Sequence, residues 1–129
     1  MNSIELRRKL HRSPELSFEE VKTQQLIIDA LEAEGIEYRK IANTGVLAKI
    51  EGERGNHRRA VVLRADIDAL PITELNDIDF KSEHEGVMHG CGHDMHTAVL
   101  FGVLQYLNKN RDFEGTLFGL FQPGEELNP

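Results

Sequence analysis

Apolar residues recur along this chain at two spacings, and each spacing predicts one kind of element. In three stretches they fall three or four positions apart, as they do on the buried face of a helix. In four shorter stretches they form compact runs between polar or turn-forming residues, as in strands. Helices are expected at residues 3–11, 17–34 and 94–107, and strands at residues 36–41, 46–50, 61–65 and 117–121.

Turn and capping residues set the expected boundaries. Pro14 stops the first helix, and Gly35 ends the second. Ser17 is the expected N-cap of that second helix, with Glu20 at the capping-box position. Residues 72–87 are polar and irregular, which predicts a loop across the mouth of a site. The alternation of helices and strands favours a three-layer α/β/α architecture with a mixed or mostly parallel sheet.

Composition narrows the class of protein. The chain has 129 residues, 40% of them apolar, which suffices for one globular domain with a core. A formal net charge of −7 without a basic stripe argues against a nucleic-acid partner. No apolar run approaches the roughly 18 to 20 residues of a membrane span, and the N-terminus lacks the apolar core of a signal peptide. One cysteine cannot form an internal disulfide, so we expect a cytoplasmic protein.

The densest chemistry lies in residues 89–96 (HGCGHDMH). This octapeptide holds the only cysteine of the chain and half of its six histidines. Thiolate, imidazole and carboxylate are the side chains that bind zinc-like divalent ions. Cys91 and His93 are two positions apart, so in an extended segment both side chains face the same side. We therefore interpret the octapeptide as part of a metal site.

Two pairs of carboxylates follow two of the predicted strands. Asp66 and Asp68 come after the third strand, and Glu125 and Glu126 come after the fourth. Because ligands bind beyond the C-terminal strand ends of open α/β sheets, these acids are expected to approach the metal site. A regular strand would point adjacent glutamates to opposite faces, so both converge only if residues 123–124 break the strand. The alternative is a solvated acidic turn.

Other residues of the octapeptide keep two interpretations each. His89 and His96 are either neighbours of the metal site or ordinary histidines of the surface and the helix. Asp94 either orients a ligand histidine through a hydrogen bond or caps the following helix. His11 carries only a weak signal.

Four motifs in register give the chain a family resemblance. They are residues 10–18 (LHRSPELSF), 64–71 (RADIDALP), 89–96 (HGCGHDMH) and 121–126 (FQPGEE). In this order they resemble metal-dependent amidohydrolases, which include hippurate hydrolase, N-acyl-L-amino acid amidohydrolase, N-acetyldiaminopimelate deacetylase and plant auxin-conjugate hydrolases. These enzymes belong to the wider aminoacylase and carboxypeptidase metallopeptidase group. The resemblance covers essentially the whole chain and is specific for the family rather than for one substrate.

The resemblance implies a zinc-peptidase-like catalytic domain and assigns roles within it. Cys91, His93 and Glu126 match metal ligands. Glu125 matches the general base that activates a metal-bound water. One or two divalent ions are implied, and this ligand set fits zinc best, with manganese, cobalt or nickel as alternatives.

A catalytic aspartate that orients a ligand is also implied by the resemblance. Asp68 matches it by its spacing to Pro71, and Asp66 is the alternative. Residue 124 is glycine where the family usually has alanine, a small departure.

The resemblance further implies the reaction and partners of the complete enzyme. The reaction is hydrolysis of the amide bond of a small-molecule N-acyl amino acid, which yields a carboxylate and a free amino acid. Family members are longer, with an inserted lid and dimerisation domain and with further ligand histidines beyond residue 129. Residues 1–129 are therefore expected to be the truncated N-terminal part of the catalytic domain, and the full-length protein to be a homodimer.

Two alternatives to the amidohydrolase hypothesis stay open at this point. Cys91 could serve as a catalytic thiol with a nearby base, although neighbouring carboxylates would raise the pKa of the thiol. The truncated chain on its own is expected to be inactive, with an incomplete metal site and a sheet edge that pairs with another copy.

Overall fold

The computed structural model describes residues 1–127. The longest helix has 17 residues, and within this range no helix is long and apolar enough to cross a membrane. Every element that the apolar pattern predicts is present, and all boundaries but one agree within two residues. Along the chain the elements are α1 Ser3–Arg12, α2 Val21–Ala33, β1 Glu37–Ile41, β2 Gly45–Glu51, β3 Ala60–Asp66, α3 His93–Lys109, β4 Thr116–Gln122 and a 3-10 turn at Glu125–Leu127.

The four strands form one mixed sheet in the order β1–β2–β4–β3. β2 pairs antiparallel with β1 and β4, whereas β3 runs parallel to β4, so the predicted mixed sheet is confirmed. The parallel register pairs Asp66 with Gln122, and the two strands therefore end side by side. At the same edge, the Thr97 hydroxyl of α3 donates to the Asp66 carbonyl at 3.0 Å. The segments that follow β3 and β4 therefore lie next to the start of α3.

The hydrophobic core lies between the helices and one face of the sheet. Val46, Ala48 and Ile50 alternate along β2, point to this face and are fully buried. They pack in one cluster with Phe121 of β4 and Phe101 of α3, together with apolar residues of α1 and α2. Truncating either phenylalanine to alanine would cost about 3–5 kcal/mol. The core therefore fixes α3 firmly against the strands whose ends carry the carboxylates.

Within residues 1–127 the three helices cover only this face of the sheet. α2 contacts β1 and β2, α3 contacts β2, β3 and β4, and α1 packs on the two other helices. On the opposite face Leu47 and Phe118 are half-buried and Val62 is exposed. The α/β class is confirmed, and the helical layer holds the start of α3 beside the strand ends.

The start of α2 corrects a sequence prediction. Ser17 does not cap this helix, because its hydroxyl donates to the Asp68 carboxylate at 2.7 Å. The helix begins at Val21 after Glu20, whose buried carboxylate accepts hydrogen bonds from Thr44 and from the Gly124 N–H instead of closing a capping box. Phe18 adopts a left-handed conformation (φ 65°), which delays the helix further.

Residues 72–87 form the predicted loop. Its two ends lie together, since Leu70 and Met88 exchange backbone hydrogen bonds of 2.9 and 3.0 Å. Asp68 lies just before this closure and Cys91 just after it. The 72–87 loop is therefore an excursion between two parts of one site.

Candidate metal centre

Three segments bring their side chains to one point at the carboxyl edge of the sheet. His93 opens α3, Cys91 lies in the turn before it, and Glu126 lies in the 3-10 turn after β4. One ligand atom of each, the sulfur, a ring nitrogen and a carboxylate oxygen, lies within 4.8 Å of the other two. These are the residues that the family resemblance marks as ligands, and the fold places them within reach of a single ion.

His93 is the centre of this arrangement, and it is buried. Its Nδ1 lies 2.9 Å from the Asp68 carbonyl oxygen and 3.0 Å from Oδ1 of the same residue. Both partners are acceptors, so the ring proton resides on Nδ1 and donates to Asp68. Nε2 is then the atom that faces the other site residues.

Three carboxylates surround that Nε2 atom. Asp66, Glu126 and Glu125 approach it at 3.3, 3.4 and 3.7 Å. Burial alone would lower the pKa of His93, but the bond to Asp68 and the charges of Asp66 and Asp68 outweigh it and raise the pKa. Three carboxylates grouped around one imidazole nitrogen fit the site of a divalent cation.

Asp68 joins the parts of the site through its carboxylate. Oδ1 accepts from His93, while Oδ2 accepts from the Ser17 hydroxyl at 2.7 Å and from the Glu126 N–H at 2.9 Å. Burial by itself would raise the pKa of Asp68, yet these bonds hold it well below its usual range. An ionised Asp68 therefore orients the His93 ring and fixes the backbone of Glu126.

Asp66 occupies a different position. Its Oδ1 lies 2.7 Å from Nδ1 of His96, and Oδ2 lies 3.5 Å from Arg64. The geometry therefore favours Asp68 over Asp66 for orienting His93. Asp66 pairs instead with His96, whose ring stacks on His93 with centroids 5.6 Å apart.

The two glutamates converge because β4 ends before them. Gly124 adopts a left-handed φ of 69°, and Glu125 and Glu126 then form a 3-10 turn instead of continuing the strand. The Glu125 side chain is 37% exposed, whereas Oε1 of Glu126 is buried and accepts no hydrogen bond from the described residues. A buried carboxylate oxygen without a hydrogen bond, beside a thiol and an imidazole, fits a metal ligand.

Cys91 is exposed at the rim of the site. The adjacent Glu126 carboxylate is the main cause that raises the pKa of its thiol, followed by partial burial and the charges of Glu125 and Asp66. This environment disfavours a free thiolate nucleophile, which needs a lowered pKa. A divalent ion would reverse that preference by binding the thiolate directly.

Several contacts of the site have no clear signal in the sequence. Ser17 was expected at a helix cap and instead supports Asp68. Both predicted roles of Asp94 are wrong, because Gly92 occupies the N-cap of α3 and the Asp94 carboxylate accepts from Arg7 and His11, each at 2.8 Å. Only the inclusion of His11 in a family motif hinted that it is more than a surface histidine.

The match to a family of known proteins spans the site. A sequence model described as peptidase family M20/M25/M40 matches residues 62–129, which is more than half of the chain. The chain belongs to this family. The matched region contains all six residues that converge at the candidate centre: Asp66, Asp68, Cys91, His93, Glu125 and Glu126.

Individual relatives of the family agree with this placement. N-acetyldiaminopimelate deacetylase of Priestia megaterium is 46% identical over 126 residues, covering 95% of this chain and 32% of the relative. Thermostable carboxypeptidase 2 of Saccharolobus solfataricus is 45% identical over 126 residues, with the same coverage of 95% and 32%. The chain therefore spans about a third of the length of these curated relatives.

A solved structure confirms the fold at high similarity. The crystal structure of a Bacillus subtilis dinuclear metal-binding peptidase of the M20 family superposes with a TM-score of 0.92. It is 46% identical to this chain, and the match covers 97% of this chain and 35% of that one. The arrangement of sheet and helices described above is thus that of an M20 peptidase domain.

Proposed function

We propose that this chain provides metal ligands and the general base of a metal-dependent hydrolase that cleaves the amide bond of N-acyl amino acids. The observation that carries the proposal is the convergence of Cys91, His93 and Glu126, with Asp68 behind the histidine and Glu125 beside it. Family membership and the names of the relatives support amide hydrolysis as the reaction.

The donor set indicates which ions would bind. A thiolate, an imidazole and a carboxylate form a borderline-soft site that suits zinc, and manganese, cobalt or nickel are the alternatives. Cys91, His93 and Glu126 would hold the ion. The M20 neighbour of known structure is described as dinuclear, which supports one or two ions per site here. When bound, such an ion lowers the pKa of a water molecule and polarises the substrate carbonyl.

Two other residues, Glu125 and Asp68, would then have separate roles in the reaction. Glu125, half exposed and 3.7 Å from His93 Nε2, takes the proton of the attacking water and returns it to the departing amine nitrogen. Asp68 keeps the His93 ring in the tautomer that leaves Nε2 free to bind. The water oxygen bonds to the amide carbon, the C–N bond breaks, and a carboxylate and a free amino acid leave the site.

Two substrate classes are supported by the relatives. The name of the Priestia megaterium relative, N-acetyldiaminopimelate deacetylase, supports a small N-acyl amino acid as the substrate, and this is the class we propose. The name of the Saccharolobus solfataricus relative, thermostable carboxypeptidase 2, supports a peptide with a free carboxyl end as the second candidate substrate. Both classes place an amide carbonyl next to a carboxylate-bearing amine, so the same residues serve either one.

Three further expectations of the sequence analysis remain predictions. They are a cytoplasmic location, a homodimer in the full-length protein, and the position of residues 1–129 in the N-terminal part of a longer catalytic domain. An inactive chain with an incomplete metal site also remains the main alternative.

The test is hydrolysis by the complete enzyme that contains this chain, after addition of zinc or manganese. We expect release of free amino acid from a panel of N-acetyl amino acids, dependent on the metal and reduced at least about 100-fold by Glu125→Gln. Glu83→Gln, an exposed glutamate of the 72–87 loop, is the matched control and should retain activity. Faster cleavage of dipeptides would favour the second substrate class. Metal binding by the complete enzyme without turnover of either class would contradict the proposal.

A further inference from the structure

Four polar side chains, three of them buried, form a network next to the metal centre but outside it. Nδ1 of His11 lies 2.8 Å from Oδ2 of Asp94, and its Nε2 lies 2.9 Å from Oε2 of Glu74. Arg7 Nε donates to the same Asp94 oxygen at 2.8 Å. His11, Glu74 and Asp94 are each at most 3% exposed. None of these four belongs to the candidate ligand set.

His11 bridges two carboxylates with its two ring nitrogens. Each nitrogen lies within hydrogen-bond distance of a carboxylate oxygen, Nδ1 of Asp94 and Nε2 of Glu74, and Arg7 pairs with Asp94 as well. Buried charges are retained in proteins when they are paired in this way. His89 packs beside His11, with ring centroids 6.4 Å apart, but its own nitrogens have no hydrogen-bond partner within residues 1–127. His11 is therefore the link between the two carboxylates.

Glu74 organises the inside of the 72–87 loop. Its carboxylate accepts from the Ser82 N–H at 2.7 Å and from the Asn76 amide at 3.1 Å, in addition to His11. Phe80 of the same loop packs edge-on against the His11 ring, with centroids 5.4 Å apart, and lies under the Arg7 guanidinium. The loop is thus fastened to α1 through two contacts of His11.

The ends of this loop join directly to the metal centre. Leu70 and Met88 pair across its base, two residues after Asp68 and three before Cys91. Gly90 packs under Ile72, because a Cβ at residue 90 would lie only 2.6 Å from the isoleucine side chain. The path of residues 88–92 is therefore set by how the loop is held.

Asp94 connects the network around His11 to the second candidate ligand, His93. It follows His93 in the first turn of α3 and is 1% exposed. Its bonds to Arg7 and His11 tie this turn to α1.

We propose that His11 is a positioning residue for the metal centre: by joining Glu74 of the 72–87 loop to Asp94 of α3, it holds Cys91 and His93 at the separation that one ion requires. This inference rests on the proposed metal site. It assigns His11 no contact with the ion or the substrate.

Two substitutions of His11 separate its two bonds. His11→Asn places an amide near the Nδ1 position and keeps the bond to Asp94, whereas His11→Gln reaches the Nε2 position and keeps the bond to Glu74. Glu74→Gln keeps the shape of the side chain but removes the carboxylate that contacts Nε2 of His11. His57→Gln and Glu85→Gln, both exposed, are the matched controls.

The first measurement is a titration of the metal-free chain with Co²⁺, followed by the absorption of the cobalt–thiolate bond. We expect the dissociation constant to rise about 10- to 100-fold in both His11 variants and in Glu74→Gln, with an altered spectrum, and to stay unchanged in the controls. Combining His11→Asn with Glu74→Gln should weaken binding little further, because both remove the same link.

The second measurement is hydrogen exchange of the metal-free chain. We expect faster exchange in residues 82–94 of the variants, with the core of α3 still protected. A folded His11 variant with the wild-type cobalt affinity and spectrum would overturn the proposal. If the His11 variants do not fold, a folded Glu74→Gln variant with the wild-type cobalt affinity and spectrum would overturn the proposal instead. Absence of cobalt binding by the wild type would refute the proposed metal site, and unchanged exchange in residues 82–94 would then refute the positioning role independently.

Discussion

Asp68 Oδ1 lies 3.0 Å from Nδ1 of His93, and the other oxygen of the same carboxylate accepts the N–H of Glu126 at 2.9 Å. One side chain therefore sets the ring orientation of one candidate ligand and the backbone position of another. The arrangement explains why β3 must end beside β4: the residue two positions beyond β3 has to reach the turn that follows β4.

Replacing Asp68 should weaken metal binding more than replacing Asp66. Asp68→Asn keeps the shape of the side chain but removes the charge that stabilises the Nδ1–H tautomer of His93. We expect about a 10- to 100-fold loss of zinc affinity, measured by competition with a chromophoric chelator. Asp66→Asn should lose less, and the exposed Asp79→Asn should lose nothing. A larger loss for Asp66 would assign the orienting role to that residue.

The thiol of Cys91 should react slowly in the metal-free chain. Because Glu126 raises the pKa of the thiol, alkylation by iodoacetamide should accelerate only at a higher pH than alkylation of a free cysteine does. Glu126→Gln should speed alkylation at pH 7, and Glu53→Gln should not. Rapid alkylation of the wild-type chain at neutral pH would instead support the thiol-enzyme alternative.

Glu74 should contribute to stability in mild acid. Burial by itself would raise the pKa of Glu74, but the bonds from His11, Ser82 and Asn76 outweigh it and lower the pKa from 4.5 to about 2. The folded state therefore binds fewer protons than the unfolded state in this interval, so the contribution is complete above about pH 4.5 and is lost as the pH falls toward 2. Glu74→Gln should flatten the acid limb of the free energy of unfolding, measured with urea between pH 2 and pH 6. An acid limb as steep as that of the wild type, or of Glu85→Gln, would contradict this.

Two glycines near the β3 entrance offer a matched test of backbone packing. Gly55 and Gly115 both have a left-handed φ, of 80° and 92°. A Cβ at residue 55 meets no atom within 4 Å, whereas one at residue 115 would lie 2.6 Å from the Arg59 carbonyl oxygen. Gly55→Ala should cost about 1–2 kcal/mol of unfolding free energy, from strain alone. Gly115→Ala should cost about 1–3 kcal/mol more, from the forced backbone shift. Equal losses in urea unfolding would show that the contact is relieved without cost.

Much of the fold follows from local patterns in the sequence. The strands and α3 were predictable because their apolar residues keep one spacing over the whole element, as Val46, Ala48 and Ile50 do in β2. The carboxylates could be placed together because parallel strands end at the same edge of a sheet. The ligand pair Cys91 and His93 stood out because packing alone does not select this mixture of thiol, imidazole and glycine.

The hydrogen bonds that hold the candidate metal centre in place could not be predicted from local patterns. His11 lies 63 positions from Glu74 and 83 from Asp94, and no periodicity links residues so far apart. Ser17 satisfied every local rule for a helix cap, but a buried carboxylate offered its hydroxyl a stronger partner. Tertiary hydrogen bonds overrode local preference at both places, and both lie beside the candidate metal centre.

The central claim is that Cys91, His93 and Glu126 bind a metal ion. The most direct test is the metal content of the chain after exhaustive dialysis, for wild type and for Cys91→Ala. We predict about one or more equivalents of zinc or manganese per wild-type chain, and a large loss in the variant. Wild-type protein without bound metal, or a variant that retains the full amount, would contradict the account.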